Sequence, residues 1–358
     1  MDNLRYSLFS ELNLTDSFFD SLRANYDGFD DWYGRKSAAG ARAYTYVDSE
    51  GRIRDFLYLK EETDPLVMAE NTLPAVRRLK VGTFKIERRG TNRGERFIKK
   101  ILDQAVAFDV EEVYVTMFND EEELIHLRHF FEKYGFKEVG TISHESNGRS
   151  EVVLLRTMKE LQGDAYKDFP YLDKEQGEKY LLSIYPAYHT QLFSDSMLAT
   201  ESYDIVQDVS ESNSVTKTYI CWMPDVINMV PGDKVIIYRT NDYKGPAYFR
   251  SVATSLCTVL EVKTNKNFSD VEEFVRYSSK NSVFKDADLR KWYSGKTCYV
   301  IKMLYNVAFK TRVIRKTMIE ELGIPQDLYW GFFKLTDEQF EGILQKGNAD
   351  ERYFIHQA

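Results

Sequence analysis

The stretch from residue 79 to residue 108 limits the fold of this chain more than any other part of the sequence. LKVGTFKIE (79–87) reads as a strand, and FIKKILDQAVAF (97–108) has the apolar spacing of a helix. Between them, RRGTNRGERF (88–97) contains two glycines and four arginines. A strand, a glycine-containing turn and a helix let backbone N–H groups converge on a diphosphate, which the helix dipole also favours. The segment predicts a phosphate-binding turn; a solvated helix start paired with acidic neighbours is the alternative.

Known phosphate-binding motifs do not fit this turn. It is not a Walker A loop, because no G-K-[ST] follows, and it is not the dinucleotide G-x-G-x-x-G. Positive charge is nevertheless concentrated there: ten Lys or Arg against two Glu lie between Arg77 and Lys100, in a chain of formal net charge −8. That balance argues against a broadly basic nucleic-acid binder but permits a local phosphate site.

Composition excludes several other classes of protein. Cys221, Cys257 and Cys298 are far apart, and neither they nor the five histidines have metal-ligand spacing, so we expect no disulfide framework and no metal. The sequence lacks an apolar run of membrane-spanning length and a visible secretory signal. We therefore expect a reduced, cytoplasmic protein that is not in a membrane.

The 358 residues suffice for two domains, and the best boundary is the polar segment 161–177. The first half, 1–160, reads as helix, hairpin, strand, helix, strand, helix, strand. Asp48 to Gly51 is the hairpin turn, and Gly135 is a C-cap. The second half, 178–358, has several strands and short helices, with a capping box at Thr336 and Gln339. We predict an α+β protein: a mixed sheet with helices, then a small, partly closed β-barrel domain with helices.

The basic turn resembles motif A of the GNAT acyltransferases, [QR]-x-x-G-x-[GA], with Arg89, Asn92 and Gly94 at the three motif positions. Asn replaces a glycine there, and it tolerates left-handed backbone better than most residues. FFEKYGF (130–136) resembles a later motif of the same family, and the order of predicted elements in 1–160 suits the GNAT fold.

The resemblance implies an acetyl-CoA (acyl-CoA) site. Phe84 and Ile86 would offer main-chain bonds to the pantetheine arm. The backbone of the turn would hold the pyrophosphate, through Arg89, Gly90, Thr91, Asn92, Arg93, Gly94 and Glu95. The tyrosine that often protonates the CoA thiolate in this family falls at Phe131, which cannot donate a proton. Tyr134, one turn further on, is the candidate donor; a core aromatic is the alternative.

Residues from about 178 onward resemble the PUA-like superfamily, which includes the ASCH and EVE domains. The resemblance rests on VPGDKVIIYRT (230–240), GPAYFRSVATSLCTVLEVK (245–263) and YWGFFKLTDEQFEGIL (329–344). The ASCH signature G-x-K-x-x-E-x-R is partly met, with isoleucine at the glutamate position. In that superfamily a cleft often takes RNA or a modified base. Aromatic and arginine side chains suit such a pocket, and the candidates here are Trp222, Tyr238, Arg239, Tyr248 and Arg250.

Two hypotheses from different classes follow. The first is an N-acyltransferase that uses acetyl-CoA to acylate a primary amine, on an RNA or aminoacyl-tRNA presented by the second half. The second is a non-catalytic module that binds acyl-CoA and nucleic acid, or a modified base, in regulation, a toxin–antitoxin pair or phage defence. Acylation of a protein or small amine, with the second half as a dimerisation module, is a third. The sequence leaves the acceptor, the acyl chain and the oligomeric state open.

Overall fold

A computed structural model of the chain describes residues 4–87, 93–143, 148–193 and 214–355. The chain divides into two compact units, residues 1–160 and 161–358. The α+β prediction is confirmed, because helices pack with sheets that mix parallel and antiparallel pairs in each unit.

The first unit is built around one mixed sheet. In chain order its elements are β1 (Leu4–Leu8), α1 (Asp20–Asn25), α2 (Phe29–Ala38), β2 (Arg42–Val47), β3 (Ile53–Glu62), β4 (Leu66–Val67), β5 (Thr72–Leu73), β6 (Arg78–Ile86), α3 (Arg93–Phe108), β7 (Glu112–Met117), α4 (Glu122–Lys133), β8 (Lys137–Ser143) and β9 (Ser150–Thr157). Over the described residues, seven strands lie in the order β1-β2-β3-β6-β7-β9-β8, and β4 pairs with β5. The pair β6–β7 is parallel, and its neighbours are antiparallel.

Local signals account for most of these elements. The predicted hairpin is β2–β3, and α4 ends before Gly135, whose φ of 84° is left-handed. The apolar run after Thr15 is more broken than its spacing predicts: a short 3₁₀ turn capped by Asp16 leads into α1, and Gly28 at φ 74° separates α1 from α2. β1 was not predicted, and it is an edge strand paired only with β2 among the described strands.

Arg78 joins β6 to β7 at the start of their parallel pairing. Its guanidinium is 1% exposed; Nε donates to Glu112 at 2.6 Å, and Nη1 and Nη2 donate to the carbonyls of Asp64 and Pro74. Each nitrogen of the guanidinium therefore has a hydrogen-bond partner, which a buried charge requires. The contact ties β6, β7 and the loop around β4 and β5 together.

The second unit is also built around a mixed sheet, with helices on both faces. Its elements are α5 (Ala165–Asp168), β10 (Lys179–Ile184), α6 (Pro186–Leu192), β11 (Thr216–Cys221), β12 (Lys234–Arg239), α7 (Ala247–Arg250), β13 (Val252–Thr264), α8 (Val271–Ser279), α9 (Asp286–Tyr293), β14 (Tyr299–Ile314), α10 (Arg315–Glu320), β15 (Phe332–Lys334) and α11 (Asp337–Lys346). The described pairings run β11-β14-β13-β12-β10-β15, and none joins the two outer strands.

Each face of this second sheet carries its own apolar core. Successive residues of β12 alternate between them: Val235 and Ile237 pack with α8 and α9, and Ile236 and Tyr238 with α10 and α11. Irregularities in the β13–β14 register, such as that between Val259 and Glu261, bend the long strands. The bends carry β14 from one core to the other.

Residues 161–177, predicted to be a linker, pack within the second unit. Phe169, Tyr171 and Leu172 are at most 4% exposed, and Leu172 bridges to Phe354. The Asn306 side chain donates to the carbonyl of Pro170 at 3.3 Å. The largely polar composition of the segment gave no indication that these three apolar side chains would be buried.

We predict that Arg78→Met destabilises the protein by about 2–4 kcal/mol, because it removes the guanidinium's hydrogen bonds to the Glu112 carboxylate and to two backbone carbonyls. Arg77→Met is the matched control. Arg77 is half exposed and lies 3.5 Å from Glu61, so its loss should cost about 1 kcal/mol or less. Urea unfolding of the full chain measures both; equal effects would contradict the role of Arg78.

Candidate functional site

The parallel pairing of β6 with β7 ends before either strand does, and the stretch beyond the last pair is termed the cleft. In the described residues, their parallel pairing covers Arg78–Val81 against Glu112–Val115 and then stops, although β6 continues to Ile86 and β7 to Met117. Gly82 forms a bulge in β6, because Tyr58 and Leu59 of β3 pair with Thr83 and Val81. The two strands therefore separate directly after the bulge.

The main chain of β6 faces this cleft at Phe84 and Ile86. Glu87 N–H donates to the Arg54 carbonyl at 2.9 Å, which makes Glu87 and Arg54 a hydrogen-bonded pair. Antiparallel pairs alternate, so Phe84 and Ile86, opposite Leu57 and Asp55, direct their N–H and C=O groups away from β3. The backbone groups of these two residues lie on the edge that faces β7.

The N-terminus of α3 follows the open end of β6. The helix begins at Arg93 and is 16 residues long, so the N–H groups of its first turn and its dipole favour an anion. Gly94 lies against the Phe130 ring of α4; an added Cβ would be 3.3 Å from Cζ of that ring. A glycine at this position lets α3 and α4 approach closely. The predicted contacts at Arg89, Gly90, Thr91 and Asn92 lie outside the described residues.

The side chain of Arg93 binds the protein itself. Its Nη1 lies 3.3 Å from both carboxylate oxygens of Asp55, and its guanidinium carbon is 4.1 Å from the ring centroid of Tyr46. Glu95 is also buried, 3.5 Å from Lys133 Nζ. Arg93 thus anchors α3 to β3, and any contact that Arg93 makes with a phosphate falls to its main chain.

The two candidate positions for a proton donor differ in their surroundings. Phe131 is fully buried, with its ring centroid 5.3 Å from that of Phe84 on β6. Tyr134 is also fully buried; its ring lies 5.4 Å from Phe130, and its carbonyl accepts from Arg156 at 2.8 Å. Of the two, Phe131 contacts Phe84 on the strand that lines the cleft, but Phe131 has no hydroxyl to donate a proton. The catalytic role of Tyr134 stays a prediction.

A cavity of about 140 Å³ lies beside the bulge, on the face of the sheet that α2 covers. Tyr58, Lys60 and Lys80 share this face, whereas Phe84 lies on the other face, against α3 and α4. Glu62 also lines the cavity. No sequence motif indicates this cavity, because its residues come from separate elements.

Glu62 is a half-buried carboxylate in this cavity. It lies 2.7 Å from Lys60 Nζ and accepts a hydrogen bond from the Tyr114 hydroxyl. Burial alone would raise the pKa of Glu62, but the hydrogen bonds from Lys60 and Tyr114 outweigh it, and the pKa lies below its ordinary value. Glu62 is therefore ionised at neutral pH.

Two of the five candidate nucleic-acid residues of the second unit, Tyr238 and Arg239, are buried. Tyr238 is 1% exposed and packs on Trp330, while Arg239 points to the opposite face of β12. Trp222 is 45% exposed, with its ring against Trp292. The Tyr248 hydroxyl donates to Glu320, and Arg250 is hydrogen-bonded to Asp242 through Nε and Nη2. Of the five, Trp222 is the aromatic side chain most accessible to a partner, and nucleic-acid binding stays a prediction.

The parts of the chain that the structure describes contain no cluster of three His, Cys, Asp or Glu side chains that could hold a metal ion. Over the same residues, no helix combines the length and the apolar character needed to cross a bilayer.

Asp55 gives a prediction for stability against pH. Burial raises the pKa of Asp55 to about 6, although Arg93 opposes the shift. An unfolded aspartate titrates near about 3.9, so the folded state binds more protons between about pH 4 and about pH 6. The contribution of Asp55 to stability should therefore fall as pH rises through this window.

The measurement is the free energy of unfolding of wild type and Asp55→Asn at several pH values. We expect the wild type to lose stability relative to the variant as pH rises from about 4 to about 6. Asp48→Asn is the control of opposite sign, since hydrogen bonds from the Arg52 backbone and other groups lower the pKa of Asp48. Parallel curves for wild type and Asp55→Asn would contradict the shift.

Comparison with known proteins gives structural likeness only. No protein-family model and no curated protein matches the chain. The chain is similar to the ASCH structure from Zymomonas mobilis, at 9% identity over 47% of this chain and 94% of that one, with a TM-score of 0.32. It is also similar to a GNAT family acetyltransferase from Elizabethkingia anophelis with acetyl-CoA bound, at 11% identity over 44% and 100%, with a TM-score of 0.30. A third similarity is to Arabidopsis thaliana NAA60 in complex with a bisubstrate analogue, at 10% identity over 44% and 98%, with a TM-score of 0.32.

Proposed function

We propose that the first unit is an acyl-CoA-dependent N-acyltransferase that acts on a primary amine. The observation that carries this proposal is the cleft between β6 and β7, which ends at the N-terminus of α3. The motif A resemblance of residues 89–94 points to the same chemistry.

The cleft suits the extended, amide-containing arm of CoA. Phe84 and Ile86 turn main-chain donors and acceptors toward the side where β7 has separated from β6. An extended ligand with amides can add to such an edge as a further strand would. Its diphosphate would then lie at the first turn of α3, where N–H groups and the dipole favour negative charge.

The reaction needs positioning more than side-chain chemistry. The amine nitrogen attacks the thioester carbonyl, a C–N bond forms and the C–S bond breaks. The proton lost by nitrogen balances the one gained by the departing thiolate, so the products are an amide and CoA. Tyr134 is the candidate that protonates sulfur.

The second candidate function is a module that binds acyl-CoA without catalysis. The observation that favours it is Phe131, fully buried against Phe84 at the position where the GNAT resemblance places a proton donor. Acyl-CoA binding without CoA release in the presence of amines would support this alternative.

We predict that the protein binds acetyl-CoA with micromolar affinity and that Gly94→Glu weakens binding at least about tenfold. The added carboxylate would lie in the first turn of α3 and repel the diphosphate. Calorimetry with the full chain measures the affinity.

Two control variants separate charge from shape. Gly94→Gln meets the same Phe130 ring without the charge and should bind better than Gly94→Glu. Gly34→Glu, in α2 where an added Cβ meets no atom within 4 Å, should bind like wild type. No binding by folded wild type would overturn the acyl-CoA site.

Tyr134→Phe tests catalysis. If Tyr134 protonates the thiolate, the variant lowers kcat by about tenfold or more and leaves the affinity for acetyl-CoA unchanged. Release of CoA thiol in the presence of a primary amine is the readout. Phe131→Tyr is the companion variant, which returns a hydroxyl to the motif position. An unchanged kcat in Tyr134→Phe would remove Tyr134 from the mechanism.

A further inference from the structure

The cavity beside the Gly82 bulge has a surplus of positive charge. Three lysines line it, Lys36 from α2, Lys60 from β3 and Lys80 from β6, and Glu62 is the single carboxylate among the lining residues. Lys60 is paired with Glu62 at 2.7 Å. The other two lysines determine the charge that a ligand would meet.

Lys36 and Lys80 lie over aromatic rings. Lys36 Nζ is 5.3 Å from the ring centroid of Tyr58, and Lys80 Nζ is 5.4 Å from that of Tyr114. Within the described part of the chain, neither forms a direct ion pair with a carboxylate, although the charge of Lys80 helps to lower the pKa of Glu62. Ring faces attract a cation but do not neutralise it. Both ammonium groups can therefore bind an anion that enters the cavity.

The position of the cavity connects it to the cleft. Lys80 and Gly82 flank Val81, the last residue of β6 that pairs with β7 among the described residues. A thioester held in the cleft would lie on the edge of β6 next to the cavity. The cavity thus occupies the place from which an acceptor would approach the acyl group.

We propose that this cavity binds the acceptor, a small primary amine that also carries a carboxylate or phosphate group. This inference rests on the proposed acyltransferase function, whose acceptor class it names. Lys36 and Lys80 hold the anionic group, and the Glu62 carboxylate accepts a hydrogen bond from the amino group. Trp32 and Tyr58 cover the apolar part of the molecule.

The size of the cavity limits the acceptor. About 140 Å³ is smaller than the roughly 300–1,000 Å³ of sites for drug-sized ligands, so only a compact molecule or the end of a larger one fits. An amine that has no anionic group would leave two lysines without a new partner, and a diamine would be repelled. The cavity should therefore distinguish among amines by the charge of the second group that each amine carries.

The test measures amine binding directly, by saturation-transfer NMR and calorimetry on the full chain, with and without CoA. The probes are β-alanine, O-phosphoethanolamine, ethanolamine and 1,4-diaminobutane. We expect the two anionic amines to bind at least about tenfold tighter than ethanolamine, and the diamine to bind weakest. Comparing the affinities of β-alanine and O-phosphoethanolamine shows whether the two lysines prefer a carboxylate or a phosphate group.

Variants assign the preference to residues. Lys36→Gln and Lys80→Gln should each remove most of the advantage of the anionic amines, and Lys80→Glu should favour the diamine. Glu62→Gln should weaken binding of ethanolamine and of the diamine and should increase the preference for the two anionic amines, because it removes a negative charge and releases that of Lys60. Lys137→Gln, at an exposed lysine on β8, is the matched control and should behave like wild type.

Three outcomes would overturn this proposal. They are equal binding of the amines with and without an anionic group, no binding of any amine, and an unchanged preference in Lys80→Gln. None of these outcomes depends on acetyl-CoA, because the amines are also titrated without CoA. Conversely, absence of acetyl-CoA binding would end the acyltransferase proposal while the amine titration still reports on the cavity. The two failures are therefore distinguishable.

Discussion

The ion pair between the buried Arg78 and the partly exposed Glu112 is the contact on which the candidate site depends most. It holds β6 and β7 together at one end, and their pairing stops four residues later. Two parallel strands that separate must be fixed firmly where they still touch, because main-chain hydrogen bonds are missing beyond that point. The carbonyls of Asp64 and Pro74 complete the guanidinium's bonds, so the cost of burying its charge is offset within the first unit.

A buried ion pair fixes the other side of the cleft. Arg93 and Asp55 join the start of α3 to β3, and the Tyr46 ring covers the guanidinium. Arg93, which lies at a variable position of the motif A resemblance, thus anchors α3 through its side chain, and the N–H groups of the first turn of α3 remain the proposed anion site.

Local sequence signals predicted which helices and strands form better than they predicted where those elements begin and end. The β2–β3 hairpin, the left-handed Gly135 and the Thr336–Gln339 capping box follow from turn and cap chemistry that acts over a few residues. The break at Gly28 and the packing of 161–177 were missed, since apolar spacing does not reveal a left-handed glycine and polar composition hid the buried Phe169. In the candidate site, the sequence predicted Phe84 and Ile86 only through the family resemblance.

The sequence by itself determined the α+β class and the succession of strand β6 and helix α3, because strand and helix periods are local properties. Only the tertiary structure decided where β6 and β7 separate and which lysines meet there. Lys36, Lys60 and Lys80 lie on three different elements, and their convergence depends on strand register and on how α2 packs on the sheet. Register and packing arise from contacts between distant residues, which no local pattern records.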